Sequence, residues 1–223
     1  MDAPAPDVAS APVFTSLPPL SLYVHLPWCL KKCPYCDFNS HEVRQPDGSP
    51  STLSADVEQH YLDALCADLE SALPQIWGRR VHSVFIGGGT PSLFPAGAID
   101  ALLSAVRARM PMEPGAEVTL EANPGTVEAA RFRGYREAGV NRISVGVQSF
   151  DDGCLRALGR IHSANEARRA VGLHEVTGHV GRIGWDVFGP SLQAVEDDFR
   201  ASLPQRIRGD ERRACRHAQQ RRQ

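Results

Sequence analysis

Apolar and polar positions change period several times along this chain, and each change marks an element. "LSLYVHLP", residues 20 to 27, is a short strand bounded by prolines. Beyond Ser54 the spacing lengthens: Val57, Tyr61, Leu65 and Leu69 recur every four residues, Ser54 stands where a cap belongs, and Asp56 and Glu58 lie in the first turn. A helix is predicted there, ended by the stretch from Pro74 to Gly78. "VHSVFI" then reads as a buried strand stopped by "GGGTP". The alternation continues with a helix near 96–109, the strand "AEVTLE", a helix near 126–137, the strand "NRISVGVQ", a helix near 163–176, the strand "GRIGWDVF" and a helix near 191–202.

Five β/α units in a row predict a parallel sheet with helices outside it, because parallel strands need crossover connections and these are right-handed. A doubly wound sheet and a barrel both satisfy the pattern. In both, a ligand sits at the carboxyl ends of the strands. The chemically distinctive stretches fall there: "WCLKKCPYC" after the first strand, "GGGTP" after the second, "EANP" after the third, "QSF" after the fourth and "DVFGP" after the fifth.

Composition narrows the class. With 223 residues, 42% hydrophobic and 22% charged, the chain can bury one sizeable soluble core. No apolar stretch approaches the roughly 18 residues of a membrane helix. Residues 1–19 read as a flexible leader of a cytoplasmic protein: Asp2 stands where a secretory signal is basic, and prolines interrupt the segment. The net charge of −2 gives no support to nucleic-acid binding, and the only lysines are Lys31 and Lys32.

Six cysteines are present, Cys29, Cys33, Cys36, Cys66, Cys154 and Cys215, of which three crowd into "CLKKCPYC". In a cytoplasmic chain such a cluster points to metal rather than to disulfides. Thiolates bind soft or borderline metals, which leaves zinc and iron–sulfur clusters as the main candidates. A structural zinc site needs a fourth ligand; no second cysteine pair exists, and His25 or His41 are the histidines near enough in sequence to supply one. Cys66 is expected to be a small buried hydrophobe on its helix, and Cys154 to be more exposed.

CxxxCxxC at the end of a first strand resembles the signature of the radical S-adenosylmethionine (SAM) enzymes. The resemblance implies that Cys29, Cys33 and Cys36 hold three irons of a [4Fe-4S] cluster whose fourth iron takes the amino and carboxylate groups of SAM. In that superfamily an electron from the reduced cluster splits the sulfonium, giving methionine and a 5′-deoxyadenosyl radical. The fold implied is α/β, a partial (β/α) TIM-type barrel.

"LYVHLPWCLKKCPYCDFNS", "GGGTPS", "EANPGT", "NRISVGVQSF" and "LGRIH" together resemble the group that holds oxygen-independent coproporphyrinogen III oxidase and the heme chaperone HemW. The match runs from Leu22 to Ile161. It implies Tyr23, Tyr35, Gly88, Gly89, Thr90, Glu121, Gln148, Arg160 and Asp186 as SAM contacts, with the glycines meeting the methionyl amino group. Oxidases of this group carry a further cysteine two positions after the third, where this chain has Phe38, and a longer N-terminal region. Both departures favour the chaperone. The resemblance thus implies heme as cargo, a heme-acceptor protein and an electron donor of flavodoxin or ferredoxin type. His25, His41, His162 and His174 are conceivable heme ligands, and none is assigned.

The pattern breaks late. The family's fifth strand ends DLxxGLP, and this chain reads "DVFGPS". From Pro204 the chain is rich in arginine without apolar periodicity, so 204–223 is expected to be a disordered basic tail behind a core of 20–203. Family members continue through a sixth β/α unit and a C-terminal region. Truncation, with the last β/α unit missing, is the expectation, and the oxidase and a non-functional truncated fragment that keeps the cluster ligands stand as alternatives to the chaperone.

Overall fold

The computed structural model describes residues 16–43, 53–126, 129–177 and 182–187. The expectations for most of the leader, for a helix near 191–202 and for the basic tail lie outside the described residues. In chain order the elements are β1 (Leu20–Leu26), β2 (Trp28–Cys29), β3 (His41–Glu42), α1 (Ala55–Ile76), β4 (Val81–Gly88), α2 (Ala96–Arg109), β5 (Met112–Ala122), α3 (Ala129–Ala138), β6 (Arg142–Gln148), α4 (Asp152–Ala157), α5 (Ala164–Thr177) and β7 (Arg182–Val187). Short 3₁₀ turns over Pro91–Leu93 and Pro124–Thr126 follow β4 and β5.

Five strands form one parallel sheet in the order β1-β4-β5-β6-β7. A doubly wound sheet reverses direction at a switch point; this sheet never does. The progression is that of a (β/α) barrel, and the chain forms part of one. Its helices α1, α2, α3 and α5 lie side by side.

The strands are two-faced. Val24, Leu26, Val84, Ile86, Val118, Leu120, Ile143, Val145 and Val147 alternate along the sheet and form one core with Leu62 of α1, Ile99 and Leu103 of α2, Phe132 and Tyr135 of α3 and Ala167 of α5. The intervening positions carry Ser21, Tyr23, Ser83, Phe85, Glu117, Thr119, Arg142 and Ser144. Most parallel strands are apolar on both faces because both are covered. Here the helix-facing side is apolar, and the other is mostly polar, with Tyr23 and Phe85 among its members.

Local chemistry explains the element ends. Ser54 Oγ accepts from Val57 N–H at 3.4 Å and starts α1. The helix does not stop at Pro74 but runs through it to Ile76. A proline that near the end forfeits one helical bond where few remain, and Gly78 in the left-handed region then turns the chain. The unforeseen helix α4 is capped by Asp151, whose carboxylate accepts from Cys154 N–H at 2.8 Å. This turn drives Cys154 into the interior at 5% exposure, and Cys66 is only half-buried. The expected exposures of the two cysteines are thereby reversed.

Tyr135 connects this scaffold to the loop after β4. Its ring is 1% exposed, and its O–H is shared between the carbonyls of Ser92 at 3.0 Å and Phe94 at 2.7 Å. Arg131 Nη1 also donates to Ser92 O, so Phe94 O depends most on the tyrosine. Tyr135→Phe is expected to cost about 1–2 kcal/mol through that orphaned acceptor, read as a lowered urea midpoint with unchanged slope.

Candidate functional site

The cysteine loop is closed at its base by backbone pairing. Trp28 and Cys29 pair with His41 and Glu42; His41 N–H donates to Pro27 O at 2.7 Å and Val43 N–H to Cys29 O at 2.8 Å. Trp28 seats this stem, edge-on to Tyr61 at 4.5 Å between centroids and 5.7 Å from Phe94. Inside the loop Cys36 N–H donates to Cys33 O at 3.0 Å, and Lys32 Nζ donates to Phe38 O at 3.0 Å and Ser40 O at 3.1 Å. Lys32 is thus a staple across the loop. Its partners are backbone carbonyls six and eight residues on, which no sequence motif marks.

The second strand's loop is bonded to the first. Gly89 N–H donates to Leu26 O at 2.8 Å, Thr90 N–H to Trp28 O at 2.7 Å and Gly88 N–H to Glu121 Oε2 at 3.1 Å. The N–H groups of residues 88–90 are therefore spent within the protein rather than bared to a ligand. Gly89 lies so close to β2 that an added Cβ would stand 2.5 Å from Trp28 O. The glycine is required by close approach of two backbones.

Strand ends β5 and β6 supply the floor. Glu121, Asn123, Ser144, Gly146, Gln148 and the nearby Arg160 line one open cleft with the three cysteines; it encloses about 770 Å³, open solvent included. Gln148 has φ of 67°, the only non-glycine in the left-handed region among the described residues. Such backbone strain is held in place by its surroundings and concentrates at functional sites. Two atoms here are buried without a partner among the described residues: Gln148 Oε1 and Arg160 Nε. One is an acceptor lacking a donor and the other a donor lacking an acceptor, at a single cleft. Buried polar atoms are rarely left so.

Sulfur environments differ. Burial pushes the Cys29 thiol up, opposed by hydrogen bonds from the Thr90 and Ser40 hydroxyls. Cys36 Sγ lies 3.9 Å from Ser40 Oγ. Arg160 Nη1 donates to Cys33 Sγ at 3.3 Å. Tyr35 is half-exposed through its ring, yet burial of its hydroxyl pushes it up to about 12, so it stays protonated. None of the five described cysteines is in a disulfide. Among the described residues no three His, Cys, Asp or Glu side chains surround a single point as an ion site would. An iron–sulfur cluster takes its thiolates on separate irons, so three free thiols spread around one cleft fit it.

Ten of the twelve residues singled out in the sequence line this cleft: Cys29, Cys33, Cys36, Tyr35, Gly88, Gly89, Thr90, Glu121, Gln148 and Arg160. Tyr23 stands beside it, stacked on Phe85 at 6.1 Å, with its hydroxyl 3.1 Å from His25 Nδ1. Asp186 lies in β7 next to Val187, whose backbone pairs with Gln148. Two of the histidines, His25 and His162, have structural work. His25 Nε2 bonds Asn39 O at 2.7 Å, so both ring nitrogens are engaged and neither is left for zinc. His162 is 4% exposed; its Nε2 donates to Val147 O at 2.9 Å and its Nδ1 meets the Asn123 amide at 3.2 Å. Ser40, 3% exposed beside two of the sulfurs, had no sequence signal beyond its place after the cysteines.

The model of the radical SAM superfamily matches residues 23–183. This chain belongs to the radical SAM superfamily. Membership implies a [4Fe-4S] cluster and SAM as the cofactors of the fold. Among radical SAM proteins, the heme chaperone HemW of Haemophilus influenzae is 55% identical over 191 residues, covering 84% of this chain and 48% of the relative. HemW of Escherichia coli is 54% identical over 157 residues, covering 70% of this chain and 39% of the relative. The solved structure of the coproporphyrinogen III oxidase HemN from Escherichia coli, a radical SAM enzyme, superposes with a TM-score of 0.65 at 29% identity, covering 77% of this chain and 37% of that one. The chain spans less than half the length of the curated relatives it matches. No helix among the described residues is long and apolar enough to cross a membrane.

Two measurements check the packing around this cleft. Gly89→Ala is expected to destabilise the protein by about 1–3 kcal/mol, since backbone must move to admit the methyl group. Gly97→Ala, in α2 with open space around it, is expected to stabilise by about 0.5 kcal/mol; equal effects in thermal denaturation would refute the close-approach argument. Burial, with Arg160 adding to it, also pushes His162 down to about 4, against the ordinary 6.5, while Glu166 opposes the shift. The unfolded chain then binds more protons in that interval. Stability is complete above about pH 6.5 and falls as pH drops toward 4. His162→Gln is expected to flatten that slope in denaturation midpoints measured between pH 7 and about 5.

Proposed function

We propose that this chain carries the cluster- and SAM-binding part of a heme chaperone of the HemW type. The observation that carries the reading is the gathering of three free cysteines of one loop in the same cleft as the orphaned Gln148 Oε1 and Arg160 Nε. Cys29, Cys33 and Cys36 would hold the [4Fe-4S] cluster. Gln148 Oε1 and Glu121 would accept from the ammonium and hydroxyls of SAM, and Arg160 Nε would donate to its carboxylate. Tyr23, Tyr35, Gly88, Gly89, Thr90 and Asp186 complete that pocket. When bound, the cluster supplies the electron on which the superfamily's radical chemistry depends. The protein's own part is to fix the loop through Lys32 and the β2–β3 pairing, to orient the ligand with Gln148 and Arg160, and to wall the sulfurs with Thr90 and Ser40.

The heme-chaperone reading is supported by the identity to two HemW proteins and by Phe38, which stands 61% exposed where oxidases of the group carry a further cysteine. Heme is then cargo, passed to an acceptor protein, with a flavodoxin- or ferredoxin-type electron donor. A cytoplasmic location goes with that reading.

Anaerobic reconstitution with iron and sulfide tests it, followed by spectroscopy with and without SAM, a heme titration and incubation with coproporphyrinogen III. A brown cluster perturbed by SAM, stoichiometric heme binding and no protoporphyrinogen IX are expected. Each single serine substitution at Cys29, Cys33 or Cys36 is expected to abolish the cluster. Retained iron in those variants overturns the ligand assignment, and turnover of coproporphyrinogen moves the protein to the oxidase class.

A further inference from the structure

Among the three sulfurs, Cys33 is the one met by a cation. Arg160 Nη1 donates to its Sγ at 3.3 Å, and Nη2 of the same fork donates to Gly146 O at 2.7 Å. The neighbours of Cys29 and Cys36 are neutral hydroxyls, those of Thr90 and Ser40. Arg160 is also held from behind. Its N–H donates to Leu155 O at 2.9 Å, and the preceding Gly159, at φ of 71°, lies so near the cysteine loop that an added Cβ would stand 2.6 Å from Pro34 Cδ. The loop between α4 and α5 is thus docked on the cysteine loop, and the guanidinium is aimed rather than free.

From this geometry we infer that Arg160 sets the reduction potential of the cluster by donating a charged hydrogen bond to the Cys33 thiolate. The inference rests on the reading above that Cys33 is a cluster ligand. It adds to the ligand contact proposed for Nε, because a guanidinium offers its three nitrogens in fixed directions and only the two terminal ones are engaged in the protein. Reduction adds one electron, drawn from an external donor, to a cluster already carrying thiolate charge. A permanent cation and a hydrogen bond at one sulfur stabilise the more negative form and raise the potential. Arg160 is in this respect a positioning and tuning residue acting through Cys33.

The test is a redox titration of the reconstituted full-length chain without SAM, with dithionite and mediator dyes, read by electron paramagnetic resonance of the reduced cluster. Arg160→Gln, which loses the charge and the fork, is expected to shift the midpoint to more negative potential. Arg160→Lys, which keeps the charge, is expected to shift it less in the same direction, and decides the matter should Arg160→Gln fail to load a cluster. Lys31→Gln removes another charge from the same cleft and is expected to shift it less than Arg160→Gln. A midpoint unmoved in the Arg160 variants, or moved as far by Lys31→Gln, overturns the inference alone. Absence of any cluster in the parent chain overturns the ligand reading as well.

Discussion

The site depends on two backbone hydrogen bonds that tie the loop after β4 to the end of β1 and to β2: Gly89 N–H to Leu26 O and Thr90 N–H to Trp28 O. Each contributes of the order of 1 kcal/mol, but their geometric effect is larger. They make the stem of the cysteine loop and the glycine turn a single rigid piece, with Trp28 wedged between Tyr61 and Phe94 beneath it. Gly88 N–H then reaches Glu121 on the third strand, and Tyr135 pins the far end of the same turn through Phe94 O. Three consecutive strand ends are fixed relative to one another before any ligand is considered.

The two-faced strands explain how a pocket this polar survives inside a folded domain. A sheet apolar on both sides would collapse around its own interior. Here Thr119, 1% exposed, donates to Glu117 at 3.0 Å and accepts from Arg142 at 3.3 Å, and Ser21 and Ser83 bond at 2.9 Å, so the inner row is satisfied among its own members. The helix side supplies the hydrophobic stabilisation, and the inner side keeps its side chains hydrated or paired. Arg160, Gln148 and the cysteines extend that polar row at its carboxyl end.

Much of this was legible because period and punctuation agree: α2 occupies the residues its spacing predicts, and β6 begins one residue inside the expected strand. Failures had local causes. Met112 to Gly115 contains Pro and Gly and reads as a turn, yet it belongs to β5, whose register shifts there to absorb them. The segment 152–157 is too short to show a helical period, so the pattern predicts no element there. At the site, strand-end placement exposed the residue types but not their directions. The Arg160–Cys33 contact joins residues 127 apart, and the left-handed backbone of Gln148 has no residue-type signature. His25 and His162 are indistinguishable in sequence from ligands, and only their engaged ring nitrogens give them to the scaffold.

Arg160 also explains why an arginine rather than a lysine suits this corner. A lysine ammonium is a point charge on a flexible stem and would satisfy one neighbour at a time in no fixed plane. The guanidinium is planar, so bonding Nη1 to Cys33 Sγ and Nη2 to Gly146 O also determines where Nε points. Its N–H, without a partner among the described residues, is held in one direction by those two bonds. Glycine at 159 lets the loop that carries Arg160 close on the cysteine loop, since a Cβ there would stand 2.6 Å from Pro34 Cδ. The loop that carries the sulfurs and the arginine proposed to meet the ligand are thus parts of one preorganised surface, assembled by contacts far apart in the chain.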